Sequence, residues 1–247
     1  MPKTTGIILK LSDQGESDRF LTVLTFDFGK LSFLTKAARK ITSKLRGGIQ
    51  PFSLNYLEFI SGKTNKIITD AIILENFSGI KNDLKKLQAG FYICRLLDKF
   101  LKENENDENI WNLAVFGFHE LENMRSDSVE LGKFLRYFEF KLVKFLGHMP
   151  ELYCCVECGN KIKEEPNLFS MASGGLVCHN CRKEKKIQNI EGIKINAQTI
   201  KISRICFEKD LDFLKRLKIE EQNLENLKQV SGSILSYLME EKAIFPE

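Results

Sequence analysis

Hydrophobic and polar positions change period near residue 78. Before that point the apolar residues come in short runs broken by glycine and polar turns. Thr5 to Leu11 is one run, and Arg19 to Phe26 carries Phe20, Leu21, Val23 and Leu24. Leu31 to Thr35 alternates, and Phe52 to Ile60 and Lys66 to Leu74 complete five strands. Phe28-Gly29-Lys30 and Gly62-Lys63-Thr64-Asn65 read as turns between them. Five short strands in this length suit a small closed barrel. The OB-fold is the natural candidate and an SH3-like barrel the alternative.

Beyond residue 78 the spacing becomes three and four. Asn82-Asp83 caps a helix through Leu84, Leu87, Phe91, Cys94, Leu97 and Leu101. An acidic linker, Glu103 to Asn109, leads to a second helix through Ile110, Leu113, Ala114, Gly117, Leu121 and Met124. A third opens near Ser126-Asp127 and runs through Leu131, Phe134, Leu135, Phe138, Leu142 and Phe145. It ends at Gly147, with Pro150 beyond. Phe140 lies off that stripe and predicts a second packed face. Further helices follow over 196–207, 210–217 and 224–239. The whole is an α+β chain. An OB-fold barrel over 1–78 precedes a helical domain over 79–247, into which a four-cysteine segment over 151–187 is inserted.

That segment carries the sharpest chemical signal. Cys155-Val156-Glu157-Cys158 is answered by Cys178-His179-Asn180-Cys181, with nineteen residues between. Two thiolates from each of two tight turns make the tetrahedral donor set that zinc takes. Gly159 stands where the first turn needs positive φ, and Gly174-Gly175 suits a hairpin joining the two turns. Two disulfides, or four core cysteines, are the competing readings. Disulfides belong to an oxidising compartment, whereas Met1-Pro2-Lys3-Thr4-Thr5-Gly6 leads straight into a strand pattern, so no secretory signal is expected. Four protein ligands leave no position for substrate, so such a zinc is structural. Cys154 reads as a spare thiol. His179 reads as an exposed turn residue, with a place as alternative ligand or donor to a ligand still open. Cys94 and Cys206 fall in apolar helical patterns and read as core.

Composition adds limits. The chain has 247 residues, 43% hydrophobic and 28% charged, enough for a real core. No run of eighteen apolar residues occurs, so no membrane helix is expected, and a reduced cytoplasm fits. A net charge of +4 says little by itself. Its distribution says more. Phe28 through Leu57 contains no acidic residue, yet holds Lys30, Lys36, Arg39, Lys40, Lys44 and Arg46. A basic, flexible loop bearing glycine and hydroxyls, Ala37 to Gly48, on a small barrel suits phosphate tracking. The competing reading is a solvated loop. Enzyme signatures are missing. The His-x-Glu and Pro-Cys-x-x-Cys of zinc deaminases do not occur. Neither does a complete phosphate-binding Gly-x-x-x-x-Gly-Lys-Ser/Thr loop. His119-Glu120 has no third partner at useful spacing.

A set of short motifs spread along the chain resembles the RecO family of bacterial recombination mediators. They are Gly15-Glu16-Ser17-Asp18-Arg19-Phe20-Leu21 with Leu24-Thr25, and Gly29-Lys30-Leu31. Lys36-Ala37-Ala38-Arg39-Lys40 with Ser43 and Leu45 is similar to the family's basic Gly-Ala-Arg-Arg loop, with Ala37 where glycine is expected. Gln50-Pro51-Phe52, Arg136 to Phe140, Leu146 to Pro150 and Cys155-x-x-Cys158-Gly159 complete the set. The resemblance implies a non-enzymatic protein of the cytoplasm and nucleoid. It would bind single- and double-stranded DNA and anneal complementary strands. With RecR, and in some members RecF, it would load RecA on DNA coated by single-strand-binding protein. Some members lack the cysteines, so zinc would be a support. Lys36, Arg39, Lys40, Lys44 and Arg46 are the first DNA-contact candidates, followed by Lys30 and Arg19. The coating protein's acidic tail would dock on the helical domain. Arg136 and Lys141 beside Phe134 and Phe138 have the chemistry for that, core packing being the competing reading for both phenylalanines. A zinc-ribbon RNA-binding or translation factor of OB type is the alternative function. A purely structural interaction module is another.

Overall fold

The structure, a computed structural model, describes residues 1–41, 43–62, 64–183 and 191–244, the side chains of Arg46 and of 241–244 excepted. Five strands form a closed barrel: β1 (Lys3–Gln14), β2 (Asp18–Thr25), β3 (Gly29–Thr35), β4 (Leu54–Ser61) and β5 (Lys66–Glu75). Their order is β1-β2-β3-β5-β4, closed by β1 against β4. All pairs are antiparallel except β3 with β5, where Phe33 faces Lys66 and Leu34 faces Ile67. The crossover that makes this parallel pair gives the five-stranded Greek-key barrel of the OB-fold. Alternation sends Leu21, Val23, Leu31, Phe33, Leu57, Phe59 and Ile68 to one interior. A bulge between Ile8 and Lys10 bends β1. Residues 3–5 pair with β4, Gly6 and Ile7 with both β4 and β2, and the strand beyond Ile7 with β2 alone.

Between β3 and β4 lie a turn and the short α1 (Leu45–Gly48). Gly48 leaves no room for a side chain, since a Cβ there would meet the Ala71 carbonyl oxygen at 2.2 Å. Helices α2 (Ser78–Lys81), α3 (Leu84–Phe100) and α4 (Glu108–Asn123) follow the barrel. Asp83 and Asp107 cap the longer two, each carboxylate accepting from two backbone N–H groups of the first turn.

The second half holds α5 (Ser128–Phe145), β6 (Asn167–Ser170), β7 (Gly175–Val177), α6 (His179–Lys183), β8 (Ile193–Ile195), α7 (Ala197–Glu208), α8 (Leu211–Arg216) and α9 (Glu221–Ile244). Asp127 caps α5. At the other end Gly147, at φ 82°, closes the helix as its position predicted. Phe140 does pack on a second face, its ring meeting Phe207 edge-on at 4.9 Å. Strand β6 pairs with β7 inside the cysteine segment and with β8 beyond its expected end at 187, which makes a small three-stranded sheet. Sequence period gave no sign of that sheet. Its strands have three or four residues, too short for alternation to register.

By internal contacts the chain divides into two compact units, Met1–Ser126 and Asp127–Glu247. The change from strand to helix falls between Glu75 and Ser78. The change of packing partner comes later, so α3 and α4 belong with the barrel.

Candidate nucleic-acid interface and metal centre

The basic turn leaves β3 at Thr35 and is braced rather than loose. Ala37 adopts φ 54°, and its N–H donates to the Asp18 carboxylate at 2.8 Å. This left-handed backbone is what the expected glycine would have supplied. The Arg39 N–H donates to the Ser17 carbonyl at 3.0 Å, and the Lys40 N–H to the Ala37 carbonyl at 3.1 Å. Buried Ala38 anchors the turn in the barrel core.

The cations fall into three groups. Lys36, Lys40 and Lys44 are exposed, and no described residue pairs with them. Arg19 and Arg39 are half engaged. Both reach the Asp13 carboxylate, at 2.8 and 3.4 Å, and Arg39 also donates to the Gly15 carbonyl at 3.0 Å. The hydrogen bond from Arg19 holds the Asp13 carboxyl below the usual range, with Arg39 adding attraction. Lys30 stands at the other end of β3 and is buried. Its Nζ donates to the Asp98 carbonyl at 2.5 Å and faces the Asp98 carboxylate at 3.7 Å. It ties barrel to helix α3 and offers no charge to the turn's surface. The Arg46 side chain lies outside the described residues.

The four cysteines come together. Their sulfur atoms all lie within 4.8 Å of one another, and Cys158 Sγ is 3.9 Å from Cys178 Sγ. A tetrahedral site with bonds of about 2.3 Å places sulfurs about 3.8 Å apart, so the cradle has the right size for zinc. Cys155 and Cys158 sit on a turn closed by the Gly159 N–H donating to the Cys155 carbonyl at 2.8 Å, with Gly159 at φ 73°. Cys178 follows β7 and Cys181 lies in α6. The Val156 N–H donates to the Leu176 carbonyl at 2.9 Å and joins the two turns. Burial pushes the Cys155 thiol up, but the N–H groups of Cys178, Cys158 and Glu157 outweigh it and hold it at about 7. Burial and neighbouring sulfurs push Cys181 up, and burial does the same to Cys178.

Cys154 and His179 are not part of the cluster. Cys154 faces Lys161 in an isolated bridge, its N–H held by the Glu151 carboxylate at 3.0 Å. His179 opens α6, half-buried. Residues 184–187, the end of the expected metal segment, lie outside the described residues, Ile187 included. Cys94 and Cys206 are buried core residues, as their spacing predicted.

The expected peptide-docking set lies inward. Phe134 and Phe138 are fully buried. Arg136 is buried against Glu139 at 2.8 Å and donates to Ser231 at 3.2 Å. Lys141 donates to the Phe207 carbonyl at 3.0 Å. The spacing that suggested a binding face is the spacing of a helix's core stripe, and here the core claims it. His119 is half-exposed, with its ring edge-on to Phe77 at 5.4 Å and its Nε2 3.5 Å from the Glu75 carboxylate.

Fold and site together define an OB-type barrel protein with a four-thiol metal cradle in its second half. Comparison with known proteins narrows this. The family model described as "Recombination protein O N terminal" matches residues 1–77, and "Recombination protein O C terminal" matches 81–243. The chain belongs to the RecO family. It is similar to the protein named DNA repair protein RecO from Desulforamulus reducens, 32% identical over 97% of this chain and 90% of that protein. The protein of that name from Alkaliphilus metalliredigens is 31% identical, over 92% of this chain and 89% of its own. That from Caldanaerobacter subterraneus is 34% identical, over 82% and 83%.

Proposed function

We propose that this protein acts in DNA repair as a non-enzymatic recombination mediator of the cytoplasm. It binds single- and double-stranded DNA, anneals complementary strands, and with RecR promotes loading of RecA on DNA coated by single-strand-binding protein. The observation that carries this reading, beside family membership, is the braced turn with exposed Lys36, Lys40 and Lys44 on an OB barrel. Annealing brings two polyanions together, and a surface of free ammonium groups screens both while base pairing selects the partner. Arg19 and Arg39 stand beside those lysines as a second rank. Among the described residues no helix is long and apolar enough to cross a membrane.

In the same reading Cys155, Cys158, Cys178 and Cys181 hold one zinc ion. The metal supplies cross-linking of the hairpin and the first turn, and no chemistry on substrate. Recognition of the acidic tail by Arg136 and Lys141 requires the α5 face to open, because their partners now lie inside.

The test is annealing of complementary oligonucleotides coated with single-strand-binding protein, comparing wild type with Lys36→Glu/Lys40→Glu/Lys44→Glu. Expected is annealing by the wild type and its loss in a variant that remains folded by circular dichroism. A wild type that anneals no strands and prefers RNA to DNA of equal length overturns the mediator reading.

A further inference from the structure

We propose that the groove between the outer edge of β1 and helix α3 docks an extended, acidic segment of a partner protein. Three independent features meet there. The first is a free strand edge. Beyond Ile8, which bonds to Phe52 and Ser53, no described strand pairs with the side of β1 that faces away from β2. An unpaired edge is a template for another backbone. The second is a cavity of about 620 Å³ beside that edge. Its floor is apolar: Leu9, Leu11, Phe91 and Cys94. Phe91 is 48% exposed although its ring packs edge-on against Phe52 at 4.7 Å. Burial pushes the Cys94 thiol well up, so it is apolar floor and not a nucleophile.

The third feature is charge. Lys10, Arg95 and Lys99 line the same cavity, and no described residue forms an ion pair with them. Its one acidic residue, Asp98, is already engaged by Lys30. An occupant therefore needs a backbone to pair, alternate apolar side chains to bury and carboxylates to meet three cations. An extended acidic peptide has all three. A polynucleotide backbone offers phosphate acceptors but no N–H donors for the strand's carbonyls, and one phenylalanine is not the row of stacking rings that single strands use. The cavity's lining shares no residue with the basic turn, and its occupant goes beyond the function proposed above.

The experiment uses full-length protein and a fluorescein-labelled dodecapeptide alternating Glu with Leu, read by fluorescence anisotropy. Saturable binding is expected, with none by the same peptide carrying Lys for Glu. Arg95→Glu/Lys99→Glu, on the exposed face of α3, is expected to weaken binding at least about tenfold. The same variant keeps wild-type melting and wild-type annealing, which reads the basic turn separately. Alternate N-methylation of the peptide backbone is expected to weaken binding by a similar factor, which charge attraction alone does not require. Unchanged binding by the charge-reversed variant, or by the N-methylated peptide, overturns the proposal. So does displacement of the peptide by an oligo-dT that the variant no longer binds, since the groove then serves nucleic acid.

Discussion

Replacing Lys36, Lys40 and Lys44 by Gln removes three exposed charges without adding repulsion. None has a partner among the described residues, so little folding free energy rests on them. On single strands each neutralised phosphate contributes about 0.7 to the slope of log affinity against log salt, so three lost contacts lower the slope by about 2. If the salt-independent part is unchanged, affinity at 0.1 M salt falls about a hundredfold, or about 3 kcal/mol. The structure adds a second arm with the opposite sign. Asp13 holds Arg19 and Arg39 at 2.8 and 3.4 Å, so Asp13→Asn frees two guanidiniums and is expected to raise the slope by up to about 1.4. The assay is anisotropy of a labelled oligo-dT titrated at five salt concentrations, with melting curves alongside. A triple-Gln variant that keeps both its fold and the wild-type slope refutes the assignment of these lysines to DNA.

Four further outcomes are expected. Ala37→Gly relieves a residue held at φ 54° and should stabilise the protein by about 1 kcal/mol in denaturant melts, with DNA binding unchanged. Gly175→Ala drives a Cβ to 2.2 Å from the Glu151 carbonyl oxygen, so it should lower zinc content per chain by mass spectrometry and open residues 151–177 to protease. Zinc chelation of wild type should do the same to that segment and leave oligo-dT binding by the barrel intact. Phe138→Ala removes a fully buried ring from the α5 core and should cost about 3–5 kcal/mol in stability. A variant that loses only peptide binding, with melting unchanged, contradicts the core placement.

The strands, the major helices and the metal cradle were legible because each has a local cause. Short apolar runs bounded by turn residues, with alternation in β3, mark β1 to β5, and Asp83, Asp127 and Gly147 mark helix ends by capping chemistry. The cysteine spacing prescribes its own geometry, because two tight turns can present four sulfurs to one ion. Even the glycine expected at position 37 had a local reason, which the backbone of Ala37 shows.

Charge and burial are different, since they depend on what lies across space. Lys30 and Lys36 look alike along the chain, six residues apart in one acid-free stretch. Only folding places Asp98 over Lys30 and leaves Lys36 in water. Asp13 lies outside that stretch, yet strand pairing sets it opposite Arg19 and within reach of Arg39. The aromatic and basic residues of α5 carried a binding signature in sequence. Tertiary packing turned them inward, where Glu139, Ser231 and the Phe207 carbonyl satisfy them. The groove beside β1 has no sequence signature at all, because it exists only where a bulged strand loses one neighbour and a helix draws alongside. Short-range periodicity fixes what each segment becomes. Long-range contact decides which charges remain free to act.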